Sequence, residues 1–197
     1  ISVALDDKSN FLNGYEEIIY RNHSPDTLRE IFFHLWPNAY KDRNTALCKQ
    51  LVSQGNMNLY FAKPEQRGFI DSLDFKVNNK GVTVIYDSVN IDICKIVLNK
   101  PLLPNDTVLI STPFRVKIPD AKFSRLGHVG QSYMISQWYP KPAVYDRDGW
   151  HAMPYLSQGE FYSEFGSFQV DITVPSNYIV AASGYLKTLS EVEFISN

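Results

Sequence analysis

The chain has 197 residues, 44% of them apolar and 20% charged, with a formal net charge of −2. This composition excludes a disordered chain and leaves enough apolar material for a sizeable core. The near-neutral charge supplies no basic stripe for nucleic acid, and no run approaches the ~18 consecutive apolar residues of a membrane-spanning helix.

Aromatic residues make up 14% of the chain, with 12 Tyr, 12 Phe and 3 Trp, a bias toward sheet rather than helix. In chain order, Ile1 to Leu5 alternates apolar with small or polar residues as a strand does, with no initiator Met. Such a start is expected for a piece that opens at its first strand, after removal of any secretion signal. Strands are then predicted over 15–21, 28–35, 69–77, 82–86, 91–98 and 107–112. Phe114, Val116 and Ile118 alternate with Arg115 and Lys117. Further strands are predicted over 132–139 and 178–182, and between them Phe168, Val170, Ile172 and Val174 alternate with Gln169, Asp171 and Thr173. That last pattern predicts one buried and one wet face.

Turn chemistry separates these runs. His23-Ser-Pro-Asp26 and Pro101-Leu-Leu-Pro-Asn-Asp106 read as turns, and Asn78-Asn-Lys-Gly81 reads as a hairpin connection tolerant of positive φ. One segment, 44–55, has good helix formers, a cap candidate at Asn44 or Thr45, and Gly55 where a helix would stop. No repeat or linker interrupts the chain. The expectation is a single all-β domain over residues 1–197: an antiparallel, saddle-shaped β-sandwich with one short helix.

Catalytic constellations are missing from the sequence. His23, His34, His128 and His151 include no pair three or four residues apart, so no His-Glu-x-x-His zinc helix is present, and no metal site is expected in this chain. There is no Gly-x-Ser-x-Gly elbow, Gly-rich phosphate loop or Cys-x-x-Cys. Asp6-Asp7 and Glu16-Glu17 are adjacent in strand-like surroundings, so each pair points to opposite faces and reads as solvated charge. Cys48 and Cys94 read as two buried free thiols, with a single bridge as the alternative. Two sequons, Asn22-His-Ser and Asn105-Asp-Thr, carry little weight by themselves.

The densest chemistry lies between Gly127 and Gly166, where aromatics, prolines and single polar groups crowd together. Residue types alone support two readings: a core strand followed by a proline-stiffened loop, or the aromatic rim of a binding surface.

Asn10-Phe-Leu-Asn-Gly14, Phe33-His-Leu-Trp-Pro-Asn-Ala-Tyr40, Phe123-Ser-Arg-Leu-Gly-His-Val-Gly-Gln131, Gln137-Trp-Tyr-Pro-Lys-Pro-Ala-Val-Tyr-Asp146, Gly159-Glu-Phe-Tyr-Ser-Glu-Phe-Gly-Ser-Phe168 and the closing 173–184 run together resemble the N-terminal domain of bacterial, Bacteroides-like aminopeptidase-N-type zinc peptidases (the gluzincin class). The resemblance implies a non-catalytic domain that packs on the parent's own catalytic domain and lines the pocket for the peptide substrate's amino end. Zinc would belong to that catalytic domain, and the parent would be exported, to the periplasm or cell surface. Counting back from Pro140 carries the family's substrate contact onto Gln131, where a neutral amide could accept a hydrogen bond from an ammonium. Tyr133 is a neighbour, and strand alternation, which would put 131, 133, 135 and 137 on one face, makes Gln137 a rival. The Lys-Pro-Ala-Val-Tyr-Asp stretch is longer and richer in proline than the eukaryotic form of the family. The alternative function is a protein- or carbohydrate-binding sandwich of a non-peptidase or inactive parent, with Trp138, Tyr139, Tyr145 and Trp150 as stacking surfaces.

Overall fold

The computed structural model describes residues 1–159 and 161–196; Glu160, inside one of the motifs above, and Asn197 lie outside them. Chain order gives β1 (Ser2–Asp6), β2 (Phe11–Arg21), β3 (Leu28–His34), α1 (Ala46–Ser53), β4 (Phe69–Asp71), β5 (Lys76–Val77), β6 (Lys80–Gly81), β7 (Thr83–Tyr86), β8 (Ile93–Leu102) and β9 (Thr107–Lys117). There follow β10 (Gly127–Val129), β11 (Ser132–Met134), β12 (Lys141–Pro142), β13 (Val144–Asp146), β14 (Gly149–His151), β15 (Asp171–Thr173) and α2 (Leu189–Ser196). Single 3-10 turns occupy Trp36–Tyr40 and Pro64–Gln66.

Two sheets form the all-β, sandwich-like body. One runs β15-β1-β2-β9-β5-β6, with β4 also on β9; the other runs β12-β3-β8-β7. All ladders are antiparallel except β15, which adds to β1 in parallel with Ser2 opposite Asp171. Leu12, Ile110, Phe114 and Val116 from the first sheet and Ile31, Phe33, Ile96 and Leu98 from the second belong to one buried cluster. Phe33 meets Phe75 there at 4.8 Å between ring centroids. Gly14 is required by this packing, because a Cβ at that position would collide with the Phe114 ring.

Several sequence expectations take physical form. Asn78 and Asn79 have φ of 49° and 63° between the paired Val77 and Lys80, the mirror-image turn that matches strand twist. α1 starts where Thr45 Oγ1 accepts from the Cys48 amide at 3.3 Å, and Gly55 follows its end with φ of 82°. Cys48 and Cys94 are both free and buried. Asn22 is buried, its Nδ2 donating to the carbonyls of Asp26 at 2.7 Å and Leu102 at 3.2 Å, so its sequon is closed in the folded chain. Asn105, in the shortened turn after β8, is exposed with φ of 66°.

Other expectations need correction. The 69–77 strand breaks into β4 and β5 at Ser72, where φ is 61°. That break lies beside Pro113 of β9, which has no N–H to offer a partner strand; the Asp74 amide instead donates to Thr112 Oγ1 at 3.0 Å. The predicted 132–139 strand ends at Met134, and 178–182 is not a strand. A second short helix, α2, joins the expected one. The alternation from Phe168 forms only β15, and its apolar face stays uncovered: Phe168 is 63%, Val170 39% and Ile172 42% exposed. Among the described residues that face has β1 as its strand neighbour and a single edge-on ring, Tyr139 on Phe168, which is less packing than buries the equivalent residues of β9.

Candidate functional site

The polar groups of interest gather where the chain after β9 meets the two sheets, with Tyr133 against the β1–β2 turn and β12 paired to β3. β10 and β11 form a hairpin whose two-residue loop is Gly130-Gln131, with Gly130 at φ of 56° as the turn demands. Gln131 is therefore an exposed tip. Two residues on, Tyr133 turns inward. Its hydroxyl lies 2.6 Å from Asn10 Oδ1 and 3.3 Å from the Asp7 carbonyl, and its ring stacks on His128 at 5.7 Å. Tyr133 thus ties the hairpin to the β1–β2 turn, where Tyr178 also donates to Asp7 Oδ2 at 3.0 Å.

Gln137 lies beyond the strand, half-buried, at φ of 54°, a backbone region a non-glycine residue enters at some cost. Period-two alternation stops at Met134, so residues 131, 133, 135 and 137 do not share one strand face. Gln131 and Gln137 sit in two different loops, flanking the anchored Tyr133.

Immediately after Gln137, Trp138 packs on Phe114 at 5.8 Å and Tyr139 meets Phe168 edge-on at 6.1 Å. Close to Tyr139 lies Glu16, on the inward phase of β2 with Leu12 and Ile18. Glu17 faces solvent as alternation requires, but Glu16 is only 1% exposed and neither carboxyl oxygen has a hydrogen-bond partner among the described residues. The reading of this pair as solvated charge is therefore corrected for Glu16. Burial pushes its carboxyl up to about 9, against a smaller opposing pull from the amino terminus. Tyr139 rises to about 12, chiefly by burial and further by the Glu16 charge. With its carboxyl raised to about 9, Glu16 is a neutral, buried acid at physiological pH.

A second group builds on the outer face of β3. His34 is fully buried, stacked on Trp36 at 4.5 Å, and its Nε2 accepts from the Met153 amide at 3.2 Å. Burial, then the Lys141 charge, lower it to about 3, so it is neutral with its proton on Nδ1, which finds no acceptor among the described residues. Directly opposite on β12, Lys141 rests its Nζ 3.9 Å from the Trp36 ring centroid and donates to Ser163 Oγ at 2.6 Å. Burial brings this ammonium down to about 8. On the neighbouring β13–β14 hairpin, Asp146 bonds His151 Nε2 at 2.7 Å and accepts from the Tyr162 hydroxyl at 3.1 Å. The His151 bond is the main reason its carboxyl sits low.

The four aromatics expected as a stacking rim are half-buried and engaged with one another. Trp138 contacts Tyr139 at 5.4 Å and Tyr145 contacts Trp150 at 5.0 Å, both edge-on. Sequence reasoning missed Glu16, His34 and Lys141 as notable groups. The signal for Glu16 was present in its phase, an acid in register with Leu12 and Ile18. His34 and Lys141 meet only through a pairing more than a hundred residues apart in sequence.

Among the described residues, no three or more His, Cys, Asp or Glu side chains are placed to hold a metal ion, and no helix is long and apolar enough to cross a membrane. The fold and these groups define an all-β, sandwich-like protein with polar loops on one flank. No protein-family model and no curated protein matches the chain.

Proposed function

We propose that this chain is the non-catalytic, cleft-lining domain of an exported, aminopeptidase-N-like zinc peptidase, packed on the parent's catalytic domain. The observation that carries the reading is the apolar surface on the C-terminal side of the closed core: Phe165, Phe168, Ile179, Leu189 and Phe194 are all exposed. Exposed large apolar side chains of this kind suit an interaction surface, and the proposed catalytic domain of the parent would be the partner that covers them. The motif resemblance along nearly the whole chain supports the same partner. Among the described residues no set of His, Cys, Asp or Glu is placed to hold zinc, and in this reading the metal and the hydrolytic step would belong to the partner domain. This domain's part is to present neutral amides, Gln131 or Gln137, to the ammonium of a peptide's free amino end, beside the anchored Tyr133.

The test compares the chain alone with the longer polypeptide of its parent gene, measuring zinc content and hydrolysis of an aminoacyl reporter. The chain alone is expected to be inactive and the longer protein active and zinc-loaded. In the latter, Gln131→Ala should lower kcat/KM about tenfold with zinc content unchanged, the loss of one hydrogen bond to a charged group. An effect of Gln137→Ala in place of Gln131→Ala would move the contact to the rival position. A longer protein with neither zinc nor turnover would overturn the peptidase reading and leave a β-sandwich binding module.

A further inference from the structure

Away from all of these groups, an open groove of about 670 Å³ runs between the 41–44 turn and the 60–69 segment. Three cations line it, Lys41, Arg43 and Arg67, against one carboxylate, Asp42. Asp42 Oδ1 accepts from the Asn44 amide at 2.6 Å, which fixes the carboxylate but leaves its negative charge in the cleft. None of the three cations lies within ion-pair distance of a carboxylate among the described residues, although the Lys41 charge also helps hold the Asp71 carboxyl low, after the larger effect of Arg115.

Arg67 is the most telling of them. Its Nε donates to the Ala62 carbonyl at 3.1 Å and its Nη2 to the Tyr60 carbonyl at 3.3 Å, while Nη1 is sheltered from water and has no acceptor among the described residues. The guanidinium is thus held in place by backbone, and its charge acts on the cleft through space rather than through a free N–H. Arg43 lies over the Tyr60 ring, 5.7 Å from its centroid. Next to it Phe61 is 73% exposed and edge-on to Tyr60 at 5.0 Å, so one face of a large ring stands open at the mouth of a positively charged cleft.

We propose that this cleft binds a small organic phosphate carrying a planar ring. The phosphate sits between Arg43 and Lys41 above the Arg67 charge, and the ring lies on Phe61. A dianionic phosphate matches the excess of cations, Arg supplies paired N–H donors for its oxygens, and ring-on-ring stacking accounts for an otherwise unexplained exposed Phe. The inference is independent of the peptidase reading and uses none of its residues.

The experiment is an amide chemical-shift titration of the full chain with three probes: inorganic phosphate, adenosine monophosphate and adenosine. The expected result is shifts confined to residues 41–69, with adenosine monophosphate binding about tenfold more tightly than inorganic phosphate, the gain from stacking on one ring. Arg43→Ala and Phe61→Ala, which truncate exposed side chains and leave the core intact, should each weaken adenosine monophosphate binding. Arg67→Ala removes a brace on two carbonyls and is a secondary variant. Equal affinity for phosphate and adenosine monophosphate, unaffected by Phe61→Ala, would overturn the ring-bearing ligand. Absence of shifts with either phosphate, or shifts scattered over every surface cation, would overturn the site.

Discussion

β9 and the 168–174 run carry the same kind of pattern, apolar and polar residues in strict alternation, and they end in different circumstances. In β9, Ile110, Phe114 and Val116 are sealed in the core because β2 flanks the strand on one side, β4 and β5 on the other, and the second sheet lies opposite. In the later run only three residues form a strand, held in parallel to β1 alone, and the apolar face meets solvent. Alternation announces which residues share a face. A covering layer then decides whether that face is stabilising or a surface awaiting a partner.

The largest expected effect tests the closed half. Phe33→Ala should destabilise the chain by about 3–5 kcal/mol in urea unfolding, because it empties a fully buried ring site against Phe75. A loss of under about 1 kcal/mol would mean the two sheets are not joined through this core.

Glu16→Gln sharpens the comparison with pH. A carboxyl whose folded value is raised from 4.5 to about 9 stabilises the fold fully below the unfolded value and loses that contribution as pH rises toward 9. The Gln variant should match the parent protein near pH 4.5 and exceed its stability at pH 8 by about 2–5 kcal/mol. His34, lowered to about 3, acts in the opposite direction: its contribution is present above about 6.5 and lost as pH falls toward 3. Thermal unfolding from pH 4 to 9 reads both limbs, and a Gln variant parallel to the parent at every pH would show that Glu16 is ionised in the fold.

The smallest expected effect on stability belongs to the open half. Phe168→Ser should change unfolding free energy by no more than about 0.5 kcal/mol while reducing self-association of the isolated chain in sedimentation analysis. A large loss of stability would show that this ring is part of the core after all.

Much of the body was legible in the sequence. Strands β1, β2, β3, β7, β8 and β9, the Thr45-capped helix and the Asn78-Asn79 turn follow from local chemistry: side-chain phase, a cap hydroxyl, and residues that tolerate positive φ; the short β10, β12, β13 and β14 were not foreseen. The candidate site was less legible. Gln131, Tyr133 and Gln137 were placed on one strand face by extrapolating alternation, yet a Gly130-Gln131 turn and a left-handed Gln137 put them in separate settings.

What the sequence determined by itself was the class of fold, because period-two patterning and turn residues act between near neighbours. Only the tertiary structure decided that Glu16 is buried with no hydrogen-bond partner among the described residues, that His34 faces Lys141 across a strand pair, that Arg67 Nη1 finds no acceptor among them, and that the 168–172 face is left largely exposed. Those properties depend on which distant segments come to lie on top, and long-range packing leaves no periodic trace in the chain.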